Sequence, residues 1–192
     1  MRNVRRLAVY CGSASGSSGV FADATRATAA AMTERGVDLV YGGGRLGLMG
    51  LVADSVLAGG GQVFGVIPQA LVDIEVAHLG LTELHTVANM HERKAKMTEL
   101  ADAFLALPGG IGTLDELFEA WSWNALGYHA KPFCLLNVEG FWDGMIEFID
   151  HATRNGFLSP QRRQQLLVAS TPDEALELLD EAAAAATQGM VW

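Results

Sequence analysis

Short apolar runs alternate along the chain with longer stretches in which apolar residues recur every third or fourth position. The runs at 7–10, 37–41, 62–67, 83–87, 103–107, 133–136 and 166–169 have strand length. Between them, 20–35, a segment reaching about 58, 90–101, 113–126, 141–154 and a final segment from 172 carry helical spacing. Local signals agree with these assignments. Gly36 follows the first helix as a C-terminal stop, Asn89 and Glu92 form a capping-box pair, and Ser159-Pro160 and Thr171-Pro172 open the last two helices. Lys131-Pro132 leads into the sixth strand, where proline is tolerated at the first position. Residues 69–82 have mixed character and predict a loop or a short helix. Alternating strands and helices imply one α/β domain over residues 1–192, a doubly wound parallel sheet with helices on both faces. Ligands of such sheets bind beyond the carboxyl ends of the strands, so the Gly- and Ser-rich segments after strands one, two and five should converge on one crevice.

Composition narrows the picture. Of 192 residues, 50% are hydrophobic, enough for a sizeable core without a second domain. The net charge of −9 argues against a nucleic-acid or anionic-membrane surface, which Arg2, Arg5 and Arg6 are too few to restore. Attraction for an anionic small ligand must therefore be local. Cys11 and Cys134 sit at strand ends with no partner at metal-ligand spacing, and read as buried, reduced thiols. The first apolar run is too short for a signal peptide, and no stretch approaches the roughly 18 apolar residues of a membrane span. The expected location is the cytoplasm.

The chemistry concentrates in Leu107-Pro108-Gly109-Gly110-Ile111-Gly112-Thr113-Leu114-Asp115-Glu116. A strand gives way to glycines and then to a helix predicted to begin at Thr113. That is the outline of a phosphate cradle, since glycines let the backbone approach an anion and the free N–H groups of a helix start point at it. Glu116 lies one turn past Thr113 on the same face, so a carboxylate faces the phosphate position. A site that must also stabilise a cation beside the phosphate has a use for that charge. Arg93 falls on the apolar stripe of its helix with Met90, Met97 and Leu100. It reads either as a packed stem with a solvated head or as a guanidinium gripping a phosphate or ribose oxygen.

Gly42-x-Gly44-x-x-Gly47 formally matches a dinucleotide fingerprint, but it follows the second strand. The acidic residue expected after the next strand is replaced by Ile67-Pro68-Gln69, which argues against NAD. Tight turns explain some of these glycines; a loop approaching a nucleotide better explains their density. Lys94 could assist Arg93 or be solvated. Asp115 fits the ordinary preference for acids in a first helical turn. Glu119 shares roughly the Glu116 face and stands as a possible second carboxylate. His91 should point away from Arg93, and Trp121 and Trp123 read as core or subunit-interface residues. No Ser/His/Asp constellation or metal site is evident.

These stretches resemble the Lonely Guy family of cytokinin riboside 5′-monophosphate phosphoribohydrolases. The family's Pro-Gly-Gly-x-Gly-Thr-x-x-Glu stands as Pro108 to Glu116, its Arg-Lys pair as Met90-His91-Glu92-Arg93-Lys94, and its glycine run as Gly42 to Gly50. Similar stretches extend from Cys11-Gly12-Ser13 to Leu135-Leu136-Asn137-Val138. The resemblance implies a Rossmann-like subunit, a homodimer, no cofactor, and hydrolysis of the N-glycosidic bond of an N6-substituted adenosine 5′-monophosphate, with AMP as a further candidate. The products would be the free base and ribose 5-phosphate. Arg93 and Glu116 resemble the catalytic pair, and Gly110, Ile111, Gly112 and Thr113 the phosphate loop. Ser13, Gly43, Gly44, Glu75, Met90, Lys94 and Ser122 match positions expected near the substrate. Ala14 stands where a second serine is common, and Ser122 where a threonine is. Two other readings remain at this point. A pyridoxal-phosphate decarboxylase would need a Schiff-base lysine from Lys94, Lys96 or Lys131, and a nucleotide- or cofactor-carrier module would use the loop without hydrolysis.

Overall fold

In the computed structural model, which describes residues 3–73 and 77–188, seven parallel strands form one sheet in the order β4-β3-β2-β1-β5-β6-β7. They are β1 (Arg6–Tyr10), β2 (Asp38–Tyr41), β3 (Val63–Pro68), β4 (Glu83–Val87), β5 (Ala103–Ala106), β6 (Phe133–Leu136) and β7 (Leu166–Ala169). The helices are α1 (Gly19–Glu34), α2 (Gly47–Ala58), α3 (Gln69–Asp73), α4 (Met90–Leu100), α5 (Ile111–Ala125), α6 (Asp143–Arg154), α7 (Pro160–Gln165) and α8 (Pro172–Gln188). The doubly wound parallel sheet expected from the sequence is therefore present. Residues 69–82 resolve into the short α3 and the approach to β4, with Ile74, Glu75 and Val76 outside the described residues.

The central strands are buried on both faces, so their side chains feed two cores in alternation. Leu7, Val9, Leu39, Ala103 and Leu105 pack with α1, α2 and α8, including Met32, Val52 and Leu179. Ala8, Tyr10, Val40, Phe104 and Ala106 pack on the other side with α4, α5 and α6, including Met97, Leu117, Trp121 and Ile149. Removing a fully buried side chain such as Leu105 would cost about 2–5 kcal/mol.

Two features aim the site. The chain runs outward from β1 through β2 and β3 to β4, then returns to the other side of β1 as β5, so the loops after β1 and β5 diverge and open a crevice at the strand ends. The second is the start of α4. Asn89 Oδ1 accepts the Glu92 N–H at 2.9 Å, and the Glu92 carboxylate returns to the Ala88 N–H at 3.0 Å, a cap that contributes about 1 kcal/mol and fixes where the helix begins. That start sets the direction in which Arg93 leaves the helix.

Candidate active site

The crevice is a cavity of about 510 Å³ lined by Gly12 and Ser13 after β1, Gly42 and Gly44 after β2, and Gly110 to Thr113 after β5. Arg93 and Glu116 reach into it from α4 and α5. Helix α5 begins at Ile111, two residues earlier than the spacing predicts, because Gly110 takes the extended N-cap conformation (φ −98°, ψ −151°) with no side chain to cap the turn. The first helical hydrogen bond runs from Leu114 N–H to the Gly110 carbonyl at 3.1 Å. The N–H groups of Ile111, Gly112 and Thr113 precede it and stand at the positive end of the helix. A Cβ built on Gly110 or Gly112 would meet nothing within 4 Å, so both glycines leave room for a ligand rather than for protein.

Arg93 is 7% exposed and Glu116 9%. The guanidinium donates through Nε to the Val66 carbonyl and through Nη2 to the Gly42 carbonyl, both at 3.2 Å, and Nη2 stands 3.4 Å from Glu116 Oε1. Of the two readings of Arg93, the solvated head is excluded: the head is buried at the strand ends. Burial pushes the Glu116 carboxyl up to about 7; the charge of Arg93 and, more weakly, that of Lys94 hold it back, while Asp115 adds to the rise. Burial, reinforced by Glu116, raises both the Cys11 thiol and the Tyr10 hydroxyl, so both neighbours stay neutral. Glu116 is thus poised to exchange a proton near neutrality, beside a permanent cation.

The glycines after β2 serve the protein more than the sequence suggests. A Cβ on Gly42 would lie 1.7 Å from Arg93 Nη2, so that glycine makes room for the guanidinium. At Gly47, φ is +59° and a Cβ would come within 2.3 Å of the Ser13 carbonyl carbon. Gly12 ties the loops together, donating its N–H to Pro108 O and accepting from Met49 N–H, each at 3.2 Å. Close packing therefore accounts for Gly42 and Gly47, although Gly42 and Gly44 also line the cavity.

The remaining expected residues divide. Ser13, Gly44, Gly110, Ile111, Gly112 and Thr113 line the cavity. Gly43 lies behind the wall against Ile67 and Leu84, its carbonyl accepting from His78 N–H at 2.9 Å. Met90 supports Arg93 from outside, its sulfur 3.7 Å from Nη1. Ser122 is exposed farther along α5, away from the lining. Lys94 also lies outside the lining, because its ammonium is drawn across to the α5 carboxylates of Asp115, at 3.0 Å, and Glu119. Glu119 is taken up by Lys94 and by His91, 3.6 Å away, and adds no carboxylate to the cavity lining; His91 itself is exposed. Glu75 falls outside the described residues. Leu46, Met49, Ile67 and Leu71, to which the sequence reading gave no role, give the cavity an apolar wall. Leu46 and Met49 lie within the Gly42 to Gly50 run, while Ile67 and Leu71 are signalled only by their position at and just past the end of β3.

Cys11 and Cys134 are free and buried, as expected, with the Cys134 thiol pushed up to about 12 by burial. Among the described residues no helix is long and apolar enough to cross a membrane, and no group of acids, histidines and cysteines is placed to hold a metal ion.

Fold and cavity together define a Rossmann-like protein with a strand-end crevice that a helix N-terminus, Arg93 and Glu116 all face. A family model described as "possible lysine decarboxylase" matches residues 49–179. Cytokinin riboside 5′-monophosphate phosphoribohydrolase LOG of Oryza sativa subsp. japonica is 48% identical over 98% of this chain and 78% of its own. LOG2 of Arabidopsis thaliana is 47% identical over 92% and 83%. The chain belongs to this LOG family. Among solved structures, the molybdenum cofactor carrier protein of Chlamydomonas reinhardtii matches with a TM-score of 0.71 at 17% identity, covering 93% of this chain and 98% of that one. The molybdenum cofactor binding protein of Rippkaea orientalis matches at 0.69 and 18%, over 92% and 95%. At such identities these two share the fold alone.

The decarboxylase description does not fit the site. Pyridoxal phosphate needs a lysine amine in its pocket, and none of the three lysines lines the cavity. Lys94 is held by α5, Lys96 pairs with Glu99 at 3.0 Å on the surface, and Lys131 donates to the Thr98 carbonyl at 2.6 Å.

Proposed function

We propose that the protein hydrolyses the N-glycosidic bond of N6-substituted adenosine 5′-monophosphates, AMP among the candidates, to give the free base and ribose 5-phosphate. The observation that carries this reading is the placement of the buried Glu116 carboxylate on the same helix whose first N–H groups form the anion cradle, with Arg93 3.4 Å away. Gly110, Ile111, Gly112 and Thr113 hold the 5′-phosphate, and this anchor, remote from the bond that breaks, positions the sugar. Glu116 then faces the anomeric carbon. Its carboxylate stabilises the oxocarbenium character that builds as the bond to the base lengthens, and it takes a proton from the attacking water. Arg93 orients Glu116 and holds its charge. The apolar wall of Leu46, Met49, Ile67 and Leu71 suits an apolar N6 substituent, with the modest discrimination of such pockets.

In this reading the chain carries one nucleotide-binding unit, without a cofactor, and works as a cytoplasmic homodimer that binds neither nucleic acid nor membrane. The 48% identity to a named phosphoribohydrolase over nearly the whole chain supports the activity. The net charge of −9 and the free, buried cysteines support the location and the lack of polyanionic partners. Incubation with a panel of N6-substituted and unsubstituted nucleoside monophosphates, assaying free base and ribose 5-phosphate, tests the activity. AMP binding with no release from any member would favour a carrier module.

A further inference from the structure

Adjacent residues of α4 each grip α5. Arg93 reaches Glu116, and Lys94 reaches the two acids that bracket it, Asp115 immediately before and Glu119 one turn after. The Lys94 ammonium lies 3.0 and 3.2 Å from the two Asp115 oxygens and contacts the Glu119 carboxylate, with Lys94 and Glu119 both mostly buried. Glu119 in turn meets His91, one turn before Lys94 on α4, at 3.6 Å. α4 and α5 carry the reacting pair on separate helices packed on one face of the sheet, and these ion pairs bridge them. The cation that stands next to Arg93 in the sequence therefore faces the α5 carboxylates and not the cavity.

We propose that Lys94 is a positioning residue: by binding Asp115 and Glu119 it clamps α4 to α5 and sets the distance between Arg93 and Glu116. The proposal builds on the hydrolase reading, yet it concerns the free protein and can fail independently. A lysine that gripped the substrate phosphate would need a cation at position 94. A clamp needs only opposite charges across the two helices, so the charges can be exchanged.

The test compares Lys94→Met, Lys94→Glu, Glu119→Lys and the exchanged pair Lys94→Glu/Glu119→Lys, the pair built with Asp115→Asn so that no second carboxylate faces position 94, each first shown to be folded by thermal melting. Lys94→Met keeps most of the apolar stem and so remains informative if Lys94→Glu does not fold. The expected result is a fall in kcat of about tenfold or more for Lys94→Met with little change in KM, since displacements of about 1 Å at a reacting pair cost up to about a hundredfold. The exchanged pair should recover kcat to within about threefold. The second readout needs no turnover and is made on the free protein. The groups around Glu116 are Arg93 and Lys94 from α4, Asp115 and Glu119 from α5, and the neutral Tyr10 of β1 and Cys11 just after it. Loss of the Lys94 charge alone raises the midpoint of the Glu116 titration, so the clamp is read from the Arg93–Glu116 distance in crystal structures of the variants, which should exceed the 3.4 Å of the wild type in Lys94→Met and return to it in the exchanged pair. A rise in KM with kcat intact, no change in kcat, or an exchanged pair no better than Lys94→Glu would each overturn the clamp. A wild-type protein that releases no base overturns the hydrolase reading alone, and an Arg93–Glu116 distance unchanged in Lys94→Met would still overturn the clamp.

Discussion

The Arg93 guanidinium stands 3.4 Å from the Glu116 carboxylate while it donates to the carbonyls of Val66 and Gly42 at 3.2 Å. One side chain thus ties the ends of β2 and β3 to the carboxylate on α5, and most consequences of changing the site follow from that tie.

Replacing Glu116 by Gln preserves shape and removes the charge. The variant should fold normally by circular dichroism and lose about two orders of magnitude or more in turnover, the scale of losing one electrostatic stabiliser of the transition state. Near-normal base release would remove Glu116 from the mechanism.

The pH dependence follows from burial, which lifts the Glu116 carboxyl from 4.5 to about 7. As a base it must be ionised, so kcat/KM should rise with pH through about 7, and a profile flat from pH 5 to 9 would count against it. The sign for stability is opposite. Between 4.5 and about 7 the folded state holds a proton that the unfolded state has lost, so this group's contribution is complete below 4.5 and is lost as pH rises to about 7. Urea melts should show Glu116→Gln gaining on wild type across that window, by up to roughly 3 kcal/mol at about 1.36 kcal/mol per unit of pKa.

Arg93 reaches three oxygens, those of Val66, Gly42 and Glu116, in a set that a lysine's single ammonium cannot reproduce. Arg93→Lys should lose most activity and about 1–3 kcal/mol of stability, because the carbonyls of Val66 and Gly42 are left short of a donor. Thermal melting and base release measured together check both halves.

Two glycines on opposite walls should behave differently. Gly112→Ala meets no protein atom within 4 Å, so its melting temperature should stay within a few degrees of wild type while KM rises through crowding of the anion. Gly42→Ala drives a methyl group to within 1.7 Å of Arg93 Nη2, displaces the guanidinium, and should lower kcat although Gly42 contributes no side chain.

Much of the fold was legible in sequence order. Strand-length apolar runs and capping residues, such as Asn89 with Glu92, are local signals set by backbone geometry, and they place the strands and the long helices to within about two residues, while α3 had no bounds of its own within the mixed 69–82 stretch. The start of α5 at Ile111 was missed because a glycine N-cap leaves no side-chain signature. The cradle and Glu116 were readable too, since a helix's periodicity puts Thr113 and Glu116 on one face without help from the rest of the chain.

What the chain by itself determined, then, was the parallel α/β architecture and the two residues most worth testing. Tertiary structure decided where the charges point. From sequence Arg93 was the candidate to grip a phosphate or ribose oxygen and Lys94 a residue that could assist it or be solvated; packing of α4 against the sheet turns the first into the cavity and the second across to Asp115 and Glu119. The same packing spends Gly42 on room for the guanidinium and brings Leu46, Met49, Ile67 and Leu71 together as a wall. These are contacts between residues tens of positions apart, and they exist only once the strands have been ordered with β1 between β2 and β5.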